Sequence, residues 1–155
     1  MEALNHPKSA EEAVEIWFSI QKDDEGYPQS QDWEELWASP VQGCCFRVES
    51  TPFFAKEIAS GDVVSAVKTD GGVHRFERVV SRSGHSNFRI WLRDGLMDRE
   101  SIIRALGELG CRTEVTLERL IAIDVSPDHE PAVWKYLEAG RDGGAWGLQV
   151  GFSPD

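Results

Sequence analysis

The residues with the most chemical potential in this chain are Ser83-Gly84-His85-Ser86, with Arg89 three positions further on. A histidine titrates near neutral pH and can act as a general base, with either serine as nucleophile and Arg89 holding an anion. The same four residues also make a good turn between a strand ending at Val80 and one starting at Phe88. In that case Gly84 takes a positive φ and the serines bond the backbone. No Gly-x-Ser-x-Gly elbow accompanies the segment, nor the acid and histidine that should follow one. The turn is therefore the expected role, a hydrolase centred on His85 is only a third-ranked reading, and no catalytic residue is assigned.

The remaining reactive residues point away from metal or cofactor chemistry. Cys44 and Cys45 are vicinal, so on a strand they face opposite sides and cannot easily share one ion. His6, His74, His85 and His129 lack ligand spacing. Gly61-Asp62 reads as a backbone device with an Asx-type bond, and Gly71-Gly72 as a hairpin turn. The glycines from 140 to 147 follow a helical stretch instead of opening one, which argues against a phosphate cradle. No metal and no cofactor is expected.

Charge is distributed unevenly. The chain of 155 residues carries 16 basic and 27 acidic side chains, a net charge of −11. From Glu11 to Trp37 nine acids face Lys22 alone, a local net of −8, whereas from His74 to Arg93 five arginines face Glu77, a local net of +4. An acidic surface repels nucleic acid and anionic membranes and steers basic partners toward itself. The longest apolar run is four residues, Leu120 to Ile123, which excludes a helical membrane span. Three cysteines and an N-terminus without a basic-then-apolar pattern suggest a reducing, cytoplasmic setting.

The elements that must position these groups follow from hydrophobic period. Val14, Ile16, Phe18 and Ile20 alternate and predict a strand. Trp33, Leu36 and Trp37 fit either one helical turn or an aromatic-edged strand. Cys44–Val48, Val63–Val67, Val73–Val80 and Phe88–Leu92 read as short strands at roughly ten-residue spacing, the pattern of a small bent sheet or barrel. The period then changes. Asp98–Gly110 and a stretch opened by Ser126-Pro127-Asp128 and closed by Gly140 read as helices. Between and after them, Thr113–Leu117, Leu120–Val125 and Trp146–Phe152 read as strands. The expected fold is α+β: an N-terminal antiparallel sheet or barrel (12–86) packed on a ferredoxin-like β-α-β-β-α-β half (87–153), together one compact unit over 1–155.

Pro52-Phe53-Phe54-Ala55, Gly61-Asp62-Val63-Val64 and Ser83-Gly84-His85-Ser86 with Arg89, together with the earlier Glu35-Leu36-Trp37 and the later Leu109-Gly110-Cys111, carry a resemblance. The chain resembles a family of small bacterial domains of unknown function over roughly residues 13 to 152. The resemblance implies no activity.

What remains is a non-enzymatic binding protein. The leading expectation is an acidic immunity protein or antitoxin that occludes the basic site of a cognate toxin, or of another basic protein. Asp23, Asp24, Glu25, Asp32, Glu34 and Glu35 would supply steering charge, and Trp33 and Trp37 the anchors. Neither nucleic acid nor membrane is an expected partner. The second expectation is a small-molecule module holding an anion with Arg75, Arg78, Arg82, His85 and Arg89.

Overall fold

A computed structural model describes residues 13–22, 32–93, 98–116 and 119–154. Asp23, Asp24 and Glu25 lie outside the described residues. The first five strands, β1 (Val14–Ser19), β2 (Trp33–Pro40), β3 (Cys45–Val48), β4 (Val63–Lys68) and β5 (His74–Ser81), pair in sequence order. The barrel closes where β5 returns parallel to β1, with Ile16 opposite His74 and Trp17 opposite Arg75. Alternation decides what goes inside: Ile16 and Phe18 from β1, Leu36 and Ala38 from β2, and Phe46, Val48, Val64 and Ala66 fill the interior. The Trp33 to Trp37 stretch is thus a strand. Period two places Glu34, Leu36 and Ala38 inward, and Trp33, Glu35 and Trp37 outward.

The second half contains β6 (Ser86–Leu92), α1 (Arg99–Glu108), β7 (Arg112–Thr116), β8 (Leu120–Val125), α2 (Glu130–Asp142) and β9 (Trp146–Phe152). Its four strands form an antiparallel sheet in the order β7-β8-β6-β9. Asp98 caps α1 by accepting from the Glu100 amide, and Gly110 turns the chain out at φ 95°. A 3₁₀ turn, Pro127–His129, precedes α2, so that helix starts and ends about two residues later than its sequence punctuation suggests. Ile102 and Leu106 of α1 join Val133 and Leu137 of α2 in one core with Phe88, Ile90, Ile121 and Ile123. Both helices therefore cover the same face of the sheet.

The opposite face carries buried polar groups: Asn87 and Arg89 on β6 and Asp124 on β8. Asn87 and Arg89 meet the connection from β3 to β4, residues 49–62, which lies between barrel and sheet, while Asp124 meets His85. From the sheet side, Asn87 Nδ2 donates to the Pro52 carbonyl at 3.2 Å, the Gly151 carbonyl accepts from the Glu57 amide at 2.8 Å, and Arg89 donates to the Ala55 carbonyl. Ala55 and Ile58 of the same connection join the barrel core. Glu57 has a φ of 66°, alone among the described non-glycine residues in the left-handed region, and both its amide and its carbonyl are engaged.

Gly151 lets the layers approach. A Cβ there would stand 2.2 Å from Asn87 Oδ1 and 2.8 Å from Arg89 Cζ, inside the buried polar joint. Gly151→Ala should lower unfolding free energy by about 1–3 kcal/mol, the range for overpacking, as read by urea denaturation. An unchanged midpoint would mean that the joint is loose.

Candidate functional site

The loop Pro52 to Ala55 is built around one carboxylate. Glu34 points into the barrel's end, only 7% exposed. Its two oxygens accept from the amides of Phe53 (2.7 Å), Phe54 (3.0 Å) and Ala55 (2.7 Å). Three consecutive N–H groups converging on an anion form a nest, here occupied by a side chain of the protein itself. Glu34 was expected to steer a partner from the surface. It is instead a buried structural anion, because period two on β2 turns it inward.

Around this clasp lies a groove of about 180 Å³, lined by Glu34, Glu35, Leu36, Trp37, Ser50, Thr51, Phe53 and Glu114. Glu114 reaches it from β7 and accepts from the Thr51 amide at 2.7 Å. Burial pushes its carboxyl above the ordinary glutamate value, and nearby Glu34 adds to the rise, against the Thr51 hydrogen bonds and the Arg112 charge. The Thr51 hydroxyl lies beside this carboxylate, yet Thr51 Oγ1 is buried without a hydrogen bond of good geometry.

The arginines expected to share one anion-holding face are dispersed. Arg75 lies with its guanidinium 4.6 Å from the Trp33 ring centroid. Arg78 is exposed on β5. Arg82 bonds Asp62 at 3.0 Å and the Glu57 carbonyl, and stacks over Phe152. Arg89 is fully buried, bonded to Gln149 and to the Ala55 carbonyl. Burial brings its pKa down to about 10, with the Glu34 charge opposing, so it stays protonated at neutral pH. An exposed anion site using Arg89 is corrected to an internal tie.

Ser83 to Ser86 forms the turn, with Gly84 at φ 90°. Ser83 Oγ donates to the Ser60 carbonyl and accepts from the His85 amide. His85 Nδ1 lies 3.0 Å from Asp124 Oδ1, a pairing the sequence order hid because the two residues are 39 apart. Burial raises the Asp124 carboxyl, while His85 and Arg112 oppose. The pair has the geometry of an imidazole oriented by a carboxylate. Among the described residues no hydrogen bond joins the imidazole to the hydroxyl of Ser83 or Ser86.

The outward face of β1 and β2 presents an alternating pattern. Antiparallel register sets Glu15 opposite Trp37, Trp17 opposite Glu35, and Ser19 opposite Trp33. Trp17 and Trp33 have ring centroids 6.3 Å apart, and Asp32 pairs with Lys22 at 3.3 Å. Trp17 and Glu15 were missed in the sequence because only the barrel register brings β1 beside the acidic segment.

A polar-lined α+β protein of this construction has a family. The family described as "Domain of unknown function (DUF4265)" matches residues 34–148, and the chain belongs to it. Among curated proteins none matches. A hypothetical protein from Neisseria gonorrhoeae has a similar crystal structure, with a TM-score of 0.74 at 17% identity, covering 90% of this chain and 96% of that one. That likeness concerns fold alone.

Two outcomes are expected. Glu34→Gln leaves one acceptor for three amides and sets an NH₂ among donors. It should lower stability by about 3 kcal/mol, or roughly 6–12 °C in melting temperature. Glu114 behaves in the opposite sense. A carboxyl raised on folding binds its proton more tightly in the native state, so its stability contribution falls as pH climbs from the unfolded value through the raised one. Glu114→Gln keeps an acceptor for the Thr51 amide and should melt higher than wild type at pH 7–8, with the gap closing toward pH 4. A gap independent of pH would contradict the assigned cause.

Proposed function

We propose that the protein is a non-enzymatic binding protein that docks a basic protein partner on the outer face of β1 and β2. In its most specific form it is an immunity protein or antitoxin occluding a toxin's positive site, its second half being a ferredoxin-like unit set in the cytoplasm. The observation that carries the reading is the alternation of Trp17, Trp33 and Trp37 with Glu15 and Glu35. Tryptophans are enriched among interface anchors, and these three stand part-buried outside both cores, with Trp33 packed against Trp17 and Arg75. Interleaved carboxylates and a net charge of −11 favour a basic partner and speed its approach. No helix among the described residues is long and apolar enough to cross a membrane.

The anion-binding alternative loses support because Arg82 and Arg89 are already engaged within the fold. The hydrolase alternative retains the His85–Asp124 pair and lacks a hydroxyl on it.

The test is binding kinetics against the protein encoded beside this gene, at several salt concentrations. Glu15→Lys with Glu35→Lys should slow association several-fold at low salt. The difference should shrink as the Debye length falls from about 10 Å at 0.1 M to about 3 Å at 1 M. Trp17→Ala or Trp33→Ala should act on dissociation, raising it roughly 30-fold, equivalent to about 2 kcal/mol. Folded variants that bind as wild type would overturn the assignment of this face.

A further inference from the structure

The groove beneath Trp37 differs from the open face beside it, being small, concave and acidic. At about 180 Å³ it falls below the roughly 300–1,000 Å³ of sites that enclose whole metabolites, so a side-chain head fits better than a metabolite does. Its lining combines the carboxylates of Glu34, Glu35 and Glu114 with the rings of Trp37 and Phe53. The second observation is Thr51, a residue of the same lining and only 1% exposed, whose buried Oγ1 lies beside the Glu114 carboxylate without a hydrogen bond of good geometry. With its O–H directed to Glu114, the hydroxyl keeps lone pairs that an N–H donor can fill.

We propose that this groove receives the guanidinium of an arginine side chain presented by the basic partner. The proposal rests on the partner-binding reading above and adds where its central contact lies. Guanidinium suits the lining better than ammonium. Its planar face stacks on aromatic rings, and its five N–H groups can reach two carboxylates and a hydroxyl at once. Glu34 is saturated by three amides, which leaves Glu35 and Glu114 as the groups facing a guest. Trp37 and Glu35 also belong to the outer face, so the groove continues the proposed interface inward.

An arginine head also resolves the electrostatics of the groove. Glu114 is held above its ordinary value by burial first and by Glu34 after it, a rise that the Thr51 hydrogen bonds and the Arg112 charge reduce but do not cancel. A bound guanidinium should reverse that shift. Glu114 is thus a liability in the free protein and an acceptor in the complex.

The experiment titrates the isotope-labelled full chain with Nα-acetyl-arginine-N-methylamide and follows backbone amides and tryptophan indoles by NMR. Its neutral isostere, the citrulline derivative, and the lysine derivative serve as comparisons. Saturable shifts at Trp37, Ser50, Thr51 and Phe53 are expected for arginine, at least fivefold weaker for lysine and absent for citrulline. Thr51→Val keeps the shape of the side chain and gives up only the poorly aligned contact of the hydroxyl with Glu114, so it should fold normally and weaken arginine binding at least threefold. Glu114→Gln should weaken it further. Equal shifts with arginine and citrulline, or a Thr51→Val protein that binds arginine as wild type does, would overturn the proposal. The probe contains no partner, so the two readings fail separately. Arginine binding here without docking of the neighbouring gene product would sink the partner assignment alone, and docking without arginine shifts would sink the groove alone.

Discussion

The Phe53–Ala55 backbone is held from two sides by opposite charges, and the arrangement of the molecule depends on that clasp. Glu34, from the barrel, takes the three amides, and Arg89, from the sheet, takes the Ala55 carbonyl. The two side chains also lie close enough for the Glu34 charge to act on the Arg89 guanidinium. Each ion alone would be expensive to bury, but together, with a peptide segment between them, they are largely satisfied. Arg89 Nε remains without a partner, facing the same Gly151 as the equally unpartnered Asn87 Oδ1. A layer of polar ties thus joins barrel to sheet where two-layer proteins ordinarily place apolar contacts, which fixes the relative position of the halves by direction as well as by area.

A second polar centre reinforces the first. Asp62 is completely buried and accepts from the amides of Ala59 and Ser83 and from Arg82. It fastens the end of the 49–62 connection to the turn that leads into β6. His85 and Asp124 continue the chain of contacts into the sheet. The segment with the most catalytic appearance in the sequence is accordingly a bonded turn that connects the two halves. Its serine and its histidine hold backbone and β8 in register.

How much of this was legible in the sequence can be judged element by element. The alternation in β1 and the helical spacing of Ile102 and Leu106 gave their elements directly, because one buried face at a fixed period leaves little choice. Trp33 to Trp37 was ambiguous, since five residues satisfy both periods. The inward turn of Glu34 could not be read without knowing which period applied. Gly61-Asp62 was readable as a backbone device, but its amide partners at Ala59 and Ser83 were not, one lying upstream and the other 21 residues away. Charge counting failed where burial intervened. Glu34 and Arg89 contributed to the acidic and basic tallies, yet both are interior ties of the joint.

The same correction makes the acidic surface more specific. Removing Glu34 from the exposed charges leaves Glu15 and Glu35 interleaved with three tryptophans on the barrel wall, and Glu114 approaching from the sheet at the mouth of the groove. Those carboxylates come from three strands in two layers, so their convergence is a product of the clasp and not of local sequence. Moving the sheet relative to the barrel would take Glu114 away from Thr51 and open the groove. The joint that holds the halves together therefore also sets the spacing of the candidate binding groups, which ties any loss of the buried Glu34–Arg89 arrangement to loss of the groove as well as of stability.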